Sequence, residues 1–308
     1  MNKHSKIYVA GHQGLLGSAL VRQLTAQGYT NILAATRQQL DLTNQAATNQ
    51  WFEKNQPDYV FLSAAKVSGI AAQTSGDAIL TNLQIQTNVI DAARRNGCKK
   101  LLFPGSNCAY PKFSKLPITE DQLLTGKLEA TSEAYAVAKI AGISLCKHSK
   151  KQWGFDAISV MPCNLYGPND NFDESHAHVM AAMISKFVIA RDTNQPDITL
   201  WGDGSAQREF LYSDDAADAL ILCMNEYRSD DIINIASGEE VSLKYLANLI
   251  KNSIGYTGNI IWDTTKPTGT LAKGLDITKI NSLGWTQNYT LATGIPAAIK
   301  WYEENICK

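Results

Sequence analysis

The first 165 residues alternate between short apolar runs and longer stretches with apolar residues at helical spacing. Runs at 6–10, 31–35, 58–62, 100–103 and 157–161 have strand length and carry polar side chains mainly at their ends. Between them, 15–27, 43–54, 79–96 and 133–152 place apolar residues three and four apart, as a helix with one buried face requires. Strands this apolar must be covered on both faces, and a helix after every strand makes neighbouring strands parallel. The pattern predicts an α/β fold, a doubly wound parallel sheet. Thr43 is expected to cap the second helix and Gly97 to stop the third.

After Pro168 the rhythm breaks. Helices are expected at 178–191, 214–226, 242–253 and 290–304, with a strand at 232–235. Pro196, Gly202 and Gly204 mark 195–207 as a loop. At roughly 150 residues per unit, 308 residues suggest two units. They read as 1–165 and a smaller α/β lobe, 166–308, with some segments returning to the first. Ligands of open α/β sheets bind at the carboxyl ends of the strands, so a lobe closing over that edge makes a cleft.

Charge excludes several classes. With 28 Lys and Arg against 29 Asp and Glu, the net charge of −1 supplies no basic face for nucleic acid. No apolar run approaches the ~18 residues that would span a membrane, and the polar start at 1–6 does not read as a signal peptide. Cysteines 98, 108, 146, 163, 223 and 307 form no C-x-x-C pair and lack ligand spacing to the histidines. No disulfide framework and no metal site is expected, and the reading is a cytoplasmic protein with reduced thiols.

Gly11-His12-Gln13-Gly14-Leu15-Leu16-Gly17 follows the first strand and opens the first helix. Glycines there allow a tight turn, close approach of backbone to a pyrophosphate and close helix packing, while the helix N-terminus attracts the anion. The first unit therefore reads as a dinucleotide-binding domain. A site that holds the ribose of NAD places an acidic residue after the second strand. This chain has Arg37 there, which suits the 2′-phosphate of NADP(H). Asp41 and Leu42 follow where an adenine would lie, and Ala64-Ala65-Lys66 ends the third strand with small residues suited to backbone beneath a dinucleotide.

Tyr135 and Lys139 stand four apart on one helix and share a face. An ammonium beside a phenol eases its ionisation, so Tyr135 is a candidate proton donor to a carbonyl that receives hydride. Ser106, just after the fourth strand, supplies a hydroxyl to the same carbonyl. Glycine triplet, Ser, Tyr and Lys in this order resemble the extended short-chain dehydrogenase/reductases, most of which act on nucleotide-linked sugars.

The resemblance is closer to one family within that superfamily. Ala64-Ala65-Lys66-Val67, Gly105-Ser106-Asn107-Cys108-Ala109-Tyr110-Pro111, Asn164-Leu165-Tyr166-Gly167-Pro168-Asn169-Asp170-Asn171-Phe172 and Trp201-Gly202-Asp203-Gly204 with Arg208-Glu209-Phe210 are similar to the GDP-L-fucose synthases. The resemblance implies epimerisation at carbons 3 and 5 and NADPH reduction of the 4-keto group of GDP-4-keto-6-deoxy-D-mannose. It implies that Cys108 and His178 move protons; the neighbouring His176 reads as a surface residue. A thiolate base needs a positive neighbour, for which protonated His178 is the candidate. Pro162, Asn164, Leu165 and His178 are implied at the cofactor. Ser106, Asn107, Cys108, Asn164, Val179, Lys186, Trp201, Arg208 and Lys273 are implied at the substrate. A homodimer through the helices at 79–96 and 133–152 is implied as well. Four positions depart from the family: Gln13 and Lys186 each stand for an arginine, Asn107 for a serine, and Leu271-Ala272 for Pro-Arg. They leave open a reductase of a related GDP-4-keto-6-deoxy sugar, a 3-deoxyhexose or heptose. Rival readings are a 4-epimerase or 4,6-dehydratase of a nucleotide sugar, and a non-catalytic NADP redox sensor. Asn107-Cys108, where a dehydratase carries acidic residues, and the intact Ser106, Tyr135 and Lys139 argue against these.

Overall fold

Strands β1 (Ile7–Ala10), β4 (Lys100–Pro104) and β5 (Ala157–Pro162) are buried at every residue, and β3 (Tyr59–Leu62) at all but Tyr59. With β2 (Ile32–Leu33) and β9 (Ile233–Ile235) they form a six-stranded, wholly parallel sheet in the order β2-β1-β3-β4-β5-β9. The computed structural model describes residues 1–67, 76–173, 177–266 and 272–307. Helix α1 (Leu15–Ala26) packs with α6 (Ser213–Glu226), while α2 (Gln45–Asn55), α3 (Gly76–Arg95) and α4 (Glu133–Trp153) pack in a row. The chain steps from β1 outward to β2 and then back past β1 to β3. The switch point of this doubly wound sheet is therefore the carboxyl edge between β1 and β3.

A second hydrophobic core involves Tyr166, Phe187, Phe210, Leu246, Ile250 and Ile299. Around it stand α5 (Val179–Asp192), α7 (Leu243–Ile254) and α9 (Leu291–Asn305). A three-stranded sheet joins β6 (Asn164–Tyr166), β8 (Gln207–Tyr212) and β10 (Glu240–Ser242), in the order β10-β8-β6. Strands β7 (Asp197–Trp201) and β11 (Asn259–Asp263) form a parallel pair. Helix α6, strand β9 and short helix α8 (Thr278–Ser282) belong instead to the first core through Leu220, Ile233, Ile235 and Ile280.

Several sequence expectations need correction. The stretch 195–207 is not all loop: β7 occupies 197–201, pairing Ile198 with Ile260 and Leu200 with Trp262. Pro196 and Gly202 bracket this strand without entering it. Asn44, not Thr43, caps α2. Its side chain accepts from the Ala47 N–H at 3.0 Å, while the Thr43 hydroxyl donates to Asp41. Helix α3 starts three residues before the expected 79, and β2 has two residues where five were expected. Strands β6, β8, β10 and β11 and helix α8 lie where no element was expected. Among the described residues no helix is long and apolar enough to cross a membrane.

One buried charge fastens the sheet to a helix end. Lys100 is 3% exposed, and its ammonium donates to the carbonyls of Cys223 (3.1 Å), Met224 (2.9 Å) and Tyr227 (2.5 Å), at the C-terminal end of α6. Helix C-termini leave carbonyls without intrahelical partners, and a cation there is favourable. Lys100→Met removes all three donors while keeping the apolar stem. It is expected to lower stability by about 1–3 kcal/mol, read from the midpoint of urea denaturation. An unchanged midpoint would show that these carbonyls find other partners.

Candidate active site

The turn between β1 and α1 is set by contacts that leave no room for side chains. Gly11 has φ +81°, and a Cβ on it would lie 2.7 Å from the Ala64 nitrogen. A Cβ on Gly17 would lie 2.0 Å from the Gly11 carbonyl oxygen. The helix start is thereby drawn onto the switch point. Gly14 caps α1 with extended backbone; no side chain caps the helix and its first turn holds no acidic residue. These N–H groups and the positive end of the helix dipole form a cradle for an anion, which fits the pyrophosphate of a dinucleotide. Gln13 and Gly14 are exposed on this turn, with Leu15 and Leu16 half-buried behind them.

Around the cradle, Ala64, Ala65 and Lys66 leave the end of β3. The buried side chain of Asn82 on α3 holds Lys66, accepting from its N–H at 2.8 Å and donating to its carbonyl at 3.0 Å. Sequence reading overlooked Asn82; its only signal is an amide on the buried face of a helix. Arg37 is exposed after β2 and interacts electrostatically with Asp41. The Asp41 carboxylate accepts from the Thr43 N–H (3.0 Å) and hydroxyl (2.8 Å), which holds its pKa below the usual range, and Leu42 is buried beside it. Pro162 ends β5, and Asn164 and Leu165 open β6.

At the carboxyl end of β4 the chain turns through Ser106, whose hydroxyl accepts from the Cys108 N–H at 3.2 Å and starts a short 3₁₀ turn over Asn107–Ala109. Helix α4 lies directly against this strand: a Cβ on Gly142 would come 2.4 Å from the Phe103 ring. Tyr135 and Lys139 are thus carried to the end of β4, both buried. Ser106 is close enough to the Tyr135 phenol to oppose the rise in its pKa, and Cys108 is an electrostatic neighbour of the same ring. Arg208, half-buried on β8, interacts in turn with Cys108 and Glu240. Ser106, Cys108, Tyr135 and Arg208 therefore converge from three elements.

Two electrostatic expectations change. The Lys139 ammonium donates to the Pro104 carbonyl at 2.7 Å and approaches Tyr135 over its ring, 5.7 Å from the centroid. Burial pushes the Tyr135 phenol well above its ordinary value and pulls Lys139 down to about 8. The phenol is thus held protonated, as a donor, rather than eased toward phenolate. His178 caps the start of α5 and is half-buried, and burial lowers its pKa below 6.5. Burial thus disfavours the imidazolium, and the cation whose charge acts on Cys108 is Arg208. Among the described residues no hydrogen bond or ion pair joins His178 to Cys108. His176 and Leu271 lie outside the described residues.

The remaining predicted residues form two groups. Lys186 on α5 donates to the Thr199 carbonyl of β7 at 3.1 Å. Trp201 ends that strand 62% exposed, with the Lys266 ammonium 5.7 Å from its ring. Nearer Arg208, Asn164 donates to the Glu209 carbonyl at 2.8 Å, and the Lys273 N–H donates to the Glu240 carboxylate at 2.9 Å. Val179 is half-buried in the first turn of α5, next to His178. Glu209 and Glu240 were not foreseen, since a lone glutamate in a sequence gives no hint of its partners.

A glycine cradle at the switch point of a parallel sheet, with Ser, Tyr and Lys gathered at the end of its fourth strand, defines a nucleotide-dependent oxidoreductase or epimerase class. The chain belongs to the NAD dependent epimerase/dehydratase family, whose model matches residues 7–236, and within it to the GDP-L-fucose synthases. It is 49% identical to GDP-L-fucose synthase 1 of Arabidopsis thaliana, over 99% of this chain and 95% of that one. It is 42% identical to the GDP-L-fucose synthase of Escherichia coli K12, over 97% of each. Among solved structures, a GDP-mannoheptose C4 reductase from Campylobacter jejuni with NADP bound superposes with a TM-score of 0.90 at 36% identity, covering 98% of this chain and 99% of that one.

Arg37 generates a test of the cradle. If it pairs with the 2′-phosphate, Arg37→Ala raises the KM for NADPH about ten- to hundredfold, the worth of a charge-assisted bond, and leaves the KM for NADH nearly unchanged. Equal effects on the two cofactors would transfer the preference to Gln13 and its turn.

Proposed function

We propose that this chain epimerises carbons 3 and 5 of GDP-4-keto-6-deoxy-D-mannose and reduces its 4-keto group with NADPH, giving GDP-L-fucose. The observation that carries the reading is the convergence of a thiol, Cys108, with the Ser106–Tyr135 pair and the Arg208 guanidinium. A plain ketoreductase needs the hydroxyl pair alone. A thiol at the same centre adds a group able to move a proton at a carbon acidified by the neighbouring ketone. The identity to GDP-L-fucose synthases over nearly the whole chain supports the same substrate.

Each residue then has a task. Ser106 donates to the oxygen on carbon 4, and Tyr135 gives that oxygen its proton. Lys139 fastens α4 to the last residue of β4, keeping the phenol beside Ser106. The Gly11–Gly17 turn would hold NADPH, which when bound would supply the hydride. Cys108 and His178 move the protons at carbons 3 and 5, with Arg208 balancing negative charge on the sulfur. Arg208, Lys186 and Lys273 bind the diphosphate, and the exposed Trp201 indole stacks on the guanine. In this reading 1–165 is the cofactor domain and 166–308 mainly the substrate lobe. The protein works in the cytoplasm as a homodimer joined through α3 and α4.

A second reading, supported by the likeness to the mannoheptose reductase and by Lys186 and Ala272, is a 4-reductase of a related GDP-4-keto-6-deoxy sugar. Incubation with NADPH and GDP-4-keto-6-deoxy-D-mannose, with the product identified by NMR, separates the two. GDP-L-fucose is the expected product. A 6-deoxy sugar of unchanged configuration at carbon 5 would make the chain a simple reductase. Tyr135→Phe is expected to abolish NADPH oxidation while keeping NADPH affinity, and near-normal turnover would remove Tyr135 from the proton-donor role.

A further inference from the structure

The segment that carries Lys273 is held as a strand is held, but two of its partners are carboxylates. The Lys273 N–H donates to Glu240 at 2.9 Å and the Leu275 N–H to Glu209 at 3.0 Å. It also pairs with Ile118, whose N–H donates to the Gly274 carbonyl at 2.8 Å and whose carbonyl accepts from the Asp276 N–H at 2.9 Å. Glu209 and Glu240 stand opposite one another on the antiparallel pair β8 and β10. Directly opposite residues share a face of a sheet, so the two carboxylates present a double acceptor to the passing backbone.

The packing is close. A Cβ on Gly274 would lie 2.7 Å from the Glu240 carboxyl carbon and from one of its oxygens, so the carboxylate packs directly on a residue with no side chain. Glu209 is fully buried and also accepts from the Gly238 N–H, which makes it part of the framework. Glu240 is only half-buried and lies within electrostatic range of Arg208. A carboxylate next to a site for an anion costs repulsion. Its bond to Lys273 gives it a reason to be there.

The geometry points to Glu240 as a positioning residue for substrate binding: by fixing the Lys273 backbone against β10, it sets Lys273 to grip the same diphosphate as Arg208. The inference rests on the sugar-nucleotide reading above. It concerns binding and not the chemical step, because Glu240 meets neither the thiol nor the Ser106–Tyr135 pair by any described hydrogen bond.

The test is calorimetric binding of GDP, GMP and NADPH to the full chain and to three variants. Glu240→Ala and Gly274→Ala are each expected to weaken GDP binding about tenfold, the loss of one charge-assisted hydrogen bond. GMP, which lacks the second phosphate, should be affected less, so the preference for GDP over GMP shrinks, while NADPH affinity stays within about twofold. Glu240→Gln, whose amide oxygen still accepts from the Lys273 N–H, should recover GDP binding to within about threefold of wild type. Unchanged GDP binding by Glu240→Ala overturns the inference, and so does parallel loss of GDP, GMP and NADPH, which would show a general structural role. Wild type that prefers UDP to GDP overturns the guanine assignment, yet keeps the role of Glu240 if the variants lose their diphosphate preference. Wild type that binds no nucleoside diphosphate overturns both.

Discussion

Gly17 has no space for a side chain, because the Gly11 carbonyl oxygen stands 2.0 Å from where its Cβ would be. The approach of α1 to the carboxyl edge of the sheet follows from that contact. It lets α1 begin directly over β1, so the free N–H groups of its first turn point at the crevice between β1 and β3. Gly11 does the same sideways, admitting the Ala64 backbone to the space its own Cβ would fill. A methyl group at either position would push the helix or the loop away, and the positive end of α1 would no longer meet an anion at the switch point.

A second close approach repeats the device on the neighbouring strands. Gly142 lets α4 settle onto Phe103, while Gln86 of α3 donates to the Ala138 carbonyl at 2.6 Å and ties the two helices together. Tyr135 thereby sits at the end of β4, where Ser106 leaves the sheet. The loop that carries Ser106 and Cys108 is braced from behind: the buried Tyr110 hydroxyl donates to Asn234 at 2.6 Å, and Asn234 donates to the carbonyls of Ile118 (2.9 Å) and Asp276 (3.0 Å). The loop with Ser106 and Cys108 and the segment with Lys273 therefore share one buried network, in which partly satisfied groups would be costly.

The sequence was most legible where burial is complete. Strands β1, β3, β4 and β5 are covered on both faces, so their composition alone marks them. Strand β7 escaped because its five residues lie between Pro196 and Gly202, and the proline and glycines outweighed their alternation. Strands β6 and β10 have three residues each, too few for any period to show. Within the site, spacing disclosed Tyr135 and Lys139 as a pair on one helix face, but not how they are used. Only the fold reveals that the ammonium bonds the Pro104 carbonyl and that the cation beside Cys108 is Arg208, one hundred positions further along the chain. Burial likewise lowers the His178 pKa, which no motif encodes. Asn82, Glu209 and Glu240 act through backbone groups of distant segments, and backbone partners leave no trace in a sequence.

The central claim is that one site runs two separable proton chemistries, epimerisation through Cys108 and His178 and reduction through Tyr135 and Ser106. Solvent deuterium incorporation into carbons 3 and 5 of GDP-4-keto-6-deoxy-D-mannose, followed by mass spectrometry, tests it most directly. Tyr135→Phe, unable to reduce, should still incorporate deuterium at both carbons. Cys108→Ala should incorporate none and, given NADPH, should slowly reduce the unepimerised ketone. If wild type incorporates no deuterium at either carbon, or if Cys108→Ala incorporates it at the wild-type rate, the thiol is only a packed side chain and the two-chemistry account is wrong.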